Sequence, residues 1–82
     1  MKIRLDLYLP AAGQSYETSV ENNVPLSRLT GLMAQALERI AGGTYRADPN
    51  PVLCDRHTGT ILDINMTLGE LGLKNGSSVM LI

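Results

Sequence analysis

The segment Cys54-Asp55-Arg56-His57 is the one place where a thiol, a carboxylate and an imidazole stand close together in the sequence. Such a set could supply the nucleophile and the base of a cysteine hydrolase. However, neighbouring side chains on a strand point to opposite faces, and a short turn after Cys54 offers no helix N-terminus to stabilise a thiolate. We therefore interpret Cys54 as a small apolar strand residue and His57 as a turn residue, without catalysis.

Cys54 and His57 also have the spacing of two metal ligands. They are the only cysteine and the only histidine of the chain, whereas zinc sites usually take three or four protein ligands. A site shared between two copies of the chain would be the remaining arrangement. The acidic residues are scattered over strands, helix and turns, and Gly69, Gly72 and Gly76 lack the following lysine-serine or lysine-threonine pair of a phosphate-binding loop. We expect no cofactor, no metal and no enzyme activity.

Length and charge limit the other function classes. The 82 residues are enough for a single domain, residues 1–82, and the apolar fraction of 44% is that of a folded globular protein. Seven basic and eight acidic residues give a net charge of −1, so no basic surface is expected for nucleic acid. The N-terminus lacks the apolar run of an export signal, and charges interrupt every candidate membrane span. We expect a cytoplasmic protein that does not insert into membranes.

Hydrophobic periodicity predicts the elements that carry these residues. Apolar residues alternate through residues 2–9, and a weaker alternation through residues 15–20 follows a Pro/Gly turn, which predicts a β-hairpin. A helix is predicted from Pro25 to Ala41, ended by Gly42-Gly43. Its apolar stripe comprises Leu26, Leu29, Met33, Ala36, Leu37 and Ile40.

The second half of the chain is predicted to contain shorter elements. After a connection over residues 42–51, residues 52–54 form a strand and residues 60–62 could pair back as a brief one. Thr67 and Glu70 have the spacing of a capping box, which predicts one helical turn. A final strand over residues 78–82 places Val79 and Leu81 on the inner face.

This order of elements predicts an α+β fold, a β-grasp with a mixed four- to five-stranded sheet packed on one helix and a one-turn helix before the last strand. The order resembles that of ubiquitin along essentially the whole chain. Residues 67–77 are similar to the stretch that leads ubiquitin-like domains into their last strand. The segments Val24-Pro25-Leu26-Ser27-Arg28-Leu29 and Leu71-Gly72-Leu73-Lys74-Asn75-Gly76, with an end at Leu81-Ile82, resemble the YukD-like (EsaB-like) accessory proteins of bacterial type VII secretion.

The resemblance implies a protein-interaction module, an adaptor for a membrane or ATPase component of the secretion apparatus. Ubiquitin and the small sulfur carriers react through a terminal Gly-Gly tail, whereas this sequence ends at Ile82, so we expect neither conjugation nor sulfur transfer. A different possibility is a small non-catalytic subunit of a multicomponent enzyme. The oligomeric state is left open by the sequence.

The candidate interaction residues are Val52, Cys54, Met80 and Ile82. Met80 and Ile82 face away from the inner side of the last strand, where a merely solvated sheet would carry polar residues. If the strand over residues 52–54 pairs beside the last one, all four residues form an exposed apolar patch, and such patches usually mark contact sites. The competing interpretation is that the connection over residues 42–51 shields Met80 and Ile82, or that they are singly exposed.

Overall fold

The structure, a computed structural model, describes residues 1–42, 46 and 50–82. Its elements are the strands β1 (Lys2–Leu9) and β2 (Gln14–Glu21), the helix α1 (Leu26–Ile40), and the strands β3 (Leu53–Asp55) and β4 (Ser77–Leu81). The strands form one sheet in the order β2-β1-β4-β3. The central pair β1–β4 is parallel, and both outer pairs are antiparallel. The predicted mixed sheet of a ubiquitin-like β-grasp is confirmed.

The brief strand predicted over residues 60–62 is a single bridge between Cys54 and Ile61. Two backbone hydrogen bonds flank it, Asp55 N to Thr60 O and Leu62 N to Leu53 O, each 2.9 Å long. The segment therefore runs along the edge of β3 without becoming a fifth strand, and the sheet formed by the described residues has four.

The core lies between α1 and the inner face of the sheet. The alternating residues Ile3, Leu5, Leu7 and Leu9 of β1 are buried, as are Val79 and Leu81 of β4. The predicted helix stripe is correct for Leu26, Leu29, Met33 and Leu37 and wrong for its other two members. Ala36 is exposed and Ile40 is 65% exposed, while Thr30 and Ala34 are buried in their place. Burial of Thr30 is possible because its hydroxyl donates to the Leu26 carbonyl, 2.9 Å away.

Both ends of α1 are held by backbone groups. At its start, the Leu26 and Ser27 amides donate to the carbonyls of Met66 and Ile64, at 3.0 and 2.8 Å. These bonds satisfy two of the four amides that a helix N-terminus leaves free. Gly42 follows the helix with a φ of 60°, the left-handed conformation expected of a helix stop. Gly43 and most of the predicted connection over residues 42–51 lie outside the described residues.

The capping box is present, but it closes a turn in place of the predicted one-turn helix. The Thr67 amide donates to the Glu70 carboxylate at 2.9 Å, and the Glu70 amide donates to the Thr67 hydroxyl at 3.1 Å. A single i→i+4 bond follows, from the Leu71 amide to the Thr67 carbonyl. Gly72 then reverses the chain with a φ of 80°, so the turn ends before a helix develops.

Candidate functional site

The outer face of the sheet, opposite α1, carries a row of apolar side chains. Strand register places Tyr8 beside Met80 and Met80 beside Cys54, and the bridge places Cys54 beside Ile61. Residues directly opposite each other in a sheet present their side chains on the same face. The row therefore crosses from β1 over β4 and β3 to the edge segment.

A second apolar pair extends this row at the end of β4. The amides of Val52 and Ile82 donate to each other's carbonyls, both at 2.9 Å, so these residues lie opposite each other. Ile82 is 53% exposed and Val52 is half-buried. We call the surface formed by Tyr8, Val52, Ile61, Met80 and Ile82 the outer apolar patch.

The structure brings the four predicted interaction residues together and corrects the exposure of one of them. Val52 pairs with Ile82, and Cys54 pairs with Met80. Cys54, however, is only 2% exposed, so the expectation that it contributes exposed surface is wrong. Its strand neighbours on the two sides are Met80 on β4 and Ile61 on the edge segment. Cys54 lies beneath the outer apolar patch and is not part of its accessible surface.

Sequence reasoning missed Ile61 and Tyr8 as members of this surface. Ile61 is 66% exposed, an unusual environment for a large aliphatic residue that faces a partner strand. Its predicted pairing with β3 already implied that it shares a face with Cys54. Tyr8 could not be placed in the same way, because its contact with Met80 depends on the parallel pairing of the first and last strands.

Arg56 forms a polar border along the β1 side of the patch. Its guanidinium carbon lies 4.3 Å from the centroid of the Tyr8 ring, a cation–π contact. Its Nη1 atom lies 3.6 Å from the Asp6 carboxylate and donates to the Ser15 hydroxyl at 3.2 Å. These partners place the arginine over Tyr8, so the apolar centre of the outer face has a charged margin on this side.

The turn after β3 is built around Asp55. Its carboxylate accepts hydrogen bonds from the amides of His57, at 2.8 Å, and Thr58, at 3.1 Å. The bonds from Thr58 and then from His57 lower the pKa of Asp55, because they stabilise the charged form. Gly59 closes the turn with a φ of 75° and donates to the Asp55 carbonyl. The Asp55 carboxylate therefore stabilises the backbone of the turn.

This geometry does not assemble the cysteine chemistry considered above. Burial raises the pKa of the Cys54 thiol, which keeps it in the neutral, poorly nucleophilic form. His57 is exposed on the turn, with its amide bound to Asp55. Within residues 1–42, 46 and 50–82, no three His, Cys, Asp or Glu side chains are grouped so that they could hold a metal ion. No helix in the described part of the chain has the length and apolarity needed to cross a bilayer.

Sequence comparison gives no relative, since no family model and no curated protein matches the chain. Solved structures do match. The EccD5 ubiquitin-like domain from Mycobacterium xenopi superposes with a TM-score of 0.83 at 16% identity, over 100% of this chain and 93% of that one. The ubiquitin-like domain of the Mycobacterium tuberculosis type VII secretion protein ECCD1 gives a TM-score of 0.81 at 12% identity, over 100% and 98%.

A chain of a toluene 4-monooxygenase complex also matches, with a TM-score of 0.77 at 10% identity, over 99% of this chain and 96% of that one. Identities this low establish a shared fold and no shared activity. The strand order, the helix α1 across the sheet and these superpositions agree. The chain has the ubiquitin-like β-grasp fold.

Proposed function

We propose that this chain is a non-catalytic protein-interaction module of a bacterial type VII secretion system, a YukD-like cytoplasmic adaptor for a membrane or ATPase component. The observation that carries the proposal is the outer apolar patch. Its large side chains lie side by side on a face that a solvated sheet would cover with polar residues. The fold shared with ubiquitin-like domains of EccD proteins supports the choice of system.

The side chains of the patch suit a protein partner. Interface centres are rich in aromatic residues and methionine and poor in charge, with a polar rim around them. Tyr8, Met80 and Ile61 supply such a centre, and Arg56 with Asp6 supplies part of the rim. A buried, neutral Cys54 beneath the centre contributes packing and no chemistry.

The test is affinity capture from detergent-solubilised cells of the source bacterium with three baits. Wild-type protein is expected to retain a component of the secretion apparatus, identified by mass spectrometry. Ile82→Asp is expected to lose it, whereas Leu32→Asp is expected to keep it. Leu32 is a matched control because it is 58% exposed, close to the 53% of Ile82, but lies on α1. Equal recovery with both variants would contradict docking through the patch.

The second candidate function is a small non-catalytic subunit of a multicomponent enzyme. The superposition on a chain of the toluene 4-monooxygenase complex is the observation that favours it. The same capture experiment separates the two functions, because it would then retain the catalytic subunits of an enzyme in place of secretion components. Sensitivity to Ile82→Asp would still show that the patch is the docking surface.

A further inference from the structure

The two edges of the sheet differ in how they are covered. Residues 60–62 run along the outer edge of β3 and hydrogen-bond to it. In the part of the chain that the structure describes, no segment pairs with the outer edge of β2. This strand is eight residues long and follows β1 position by position without a bulge. Of the residues that proteins place on free edges to prevent pairing, it contains neither proline nor lysine, and its charges are Glu17 and Glu21.

The register identifies which backbone groups face this edge. The Asn22 amide donates to the Met1 carbonyl at 3.0 Å, and these two residues are in register with the β1–β2 ladder. Hydrogen-bonded pairs in an antiparallel ladder recur at every second residue, so Thr18 bonds inward to Leu5. The residues between them point their amides and carbonyls outward, and they are Ser15, Glu17, Ser19 and Glu21.

An apolar groove of about 140 Å³ lies beside this edge, between β2 and the second half of α1. Tyr16 and Thr18 line it from the strand, and Ala36 and Ile40 line it from the helix. Ala36 and Ile40 are the two stripe residues that the sheet of this chain leaves exposed. A further strand placed along β2 would cover both of them.

We propose that a second copy of this chain pairs with the free edge of β2, antiparallel and two-fold symmetric about Thr18. In this register Thr18 faces Thr18 of the partner subunit, Tyr16 faces Val20 of the partner subunit, and Glu17 faces Ser19 of the partner subunit. Thr–Thr and aromatic–β-branched pairs are among the favourable cross-strand pairs. The four strands of each copy join into one eight-stranded sheet, with both helices on the same side.

The charges on β2 favour this register over the two neighbouring registers. Outward-facing residues must pair with outward-facing residues, so a competing register shifts one strand by two residues relative to the other. Such a shift moves the two-fold axis by one residue. Centring the two-fold axis on Glu17 sets it against Glu17 of the partner subunit, and centring it on Ser19 sets Glu17 against Glu21 of the partner subunit. Like charges directly opposite each other are destabilising. The axis on Thr18 avoids both direct contacts, leaves Glu17 only diagonal to Glu17 and Glu21 of the partner subunit, and still aligns residues 15–21.

The first test measures the mass of the full chain by analytical ultracentrifugation between about 1 μM and about 1 mM, where interfaces of modest strength associate. We expect a monomer that converts to a dimer as concentration rises. Ser19→Lys places a cation opposite Glu17 of the partner subunit, and Ser19→Glu places an anion there. Because each charge pair occurs twice, we expect the first change to lower the Kd and the second to raise it, each by about 2- to 30-fold.

We expect the two substitutions to change folding stability in the opposite direction to dimer affinity. This difference separates an effect on association from an effect on folding. Ser19 lies opposite Arg4 within the chain, so Ser19→Glu should raise the urea midpoint of the monomer and Ser19→Lys should lower it. An effect on association that merely followed folding would have the reverse sign. A protein that is monomeric at every concentration overturns the proposal.

The second test fixes the register. Thr18→Cys brings two thiols together at a non-hydrogen-bonded pair, with Cα atoms about 4.5 Å apart, a distance that a disulfide spans. We expect mild oxidation to cross-link this variant as a dimer. Ser15→Cys is the control, since the two copies of residue 15 would lie about 20 Å apart, six residues along the strands. Native Cys54 is buried and does not compete. Equal cross-linking of both variants overturns the register.

Discussion

Two leucine-sized residues near the end of α1 should respond very differently to truncation. Leu37 is 4% exposed and packs in the core, so Leu37→Ala should cost about 2–5 kcal/mol of unfolding free energy. Ile40 is 65% exposed, so only about a third of its surface is out of water. Its transfer loss is about 0.5–1 kcal/mol, and the better helix propensity of alanine offsets a few tenths of that. We therefore expect the two variants to differ by at least about 1 kcal/mol.

The measurement is urea unfolding followed by circular dichroism at low micromolar concentration, where association does not contribute. A domain of 82 residues has a total stability of about 4–12 kcal/mol, so Leu37→Ala removes a large share and should shift the midpoint clearly. Ile40→Ala should remain close to wild type. Similar losses for the two variants would refute the helix orientation described above and would restore the apolar stripe predicted from the sequence.

Three further predictions concern the capping box, the thiol and the Asp55 turn. Thr67→Ala removes the hydroxyl that accepts from the Glu70 amide and should cost about 0.5–2 kcal/mol by urea unfolding, with Thr67→Ser retaining most of the stability; equal losses would contradict the bond. Cys54 should react with a thiol reagent such as DTNB only as fast as the protein opens, because the thiol is buried and its pKa is raised; rapid stoichiometric labelling in buffer would show that it is accessible. Asp55 has a lowered pKa in the folded state, so its stabilising contribution is complete above the ordinary value of 3.8 and is lost as the pH falls through the lower, folded value. The stability difference between wild type and Asp55→Asn should therefore shrink in acid, and a difference that grew would contradict the sign.

Hydrophobic periodicity in the sequence was sufficient to predict β1 and α1. The alternation through β1 and the spacing of Leu26, Leu29, Met33 and Leu37 predicted a strand and a helix within a residue or two of their observed bounds. It was harder to predict which residues on either side of this helix stripe are buried. Apolar character favoured Ala36 and Ile40, but tertiary packing buried the other flank, where Thr30 satisfies its own hydroxyl.

The candidate surface depended on contacts that no local pattern encodes. Met80 and Ile82 were identified because they lie on the polar side of an alternating strand. The place of Tyr8 in the same row follows from the parallel pairing of β1 with β4, which joins segments about 70 residues apart in sequence. The sequence suggested Ile61 as a neighbour of Cys54, but it did not indicate that Cys54 itself would be buried.

The parallel pairing of β1 with β4 determines when the sheet can be completed during synthesis. During synthesis the hairpin and the helix leave the ribosome first, but the position beside β1 stays vacant until residues 77–81 have been translated. Until then Leu5 and Leu7 lack half of their strand neighbours, and the open side of β1 can capture unrelated β-prone segments. Hence a chain that stops before β4 leaves this side of β1 unpaired and is more prone to aggregation during folding.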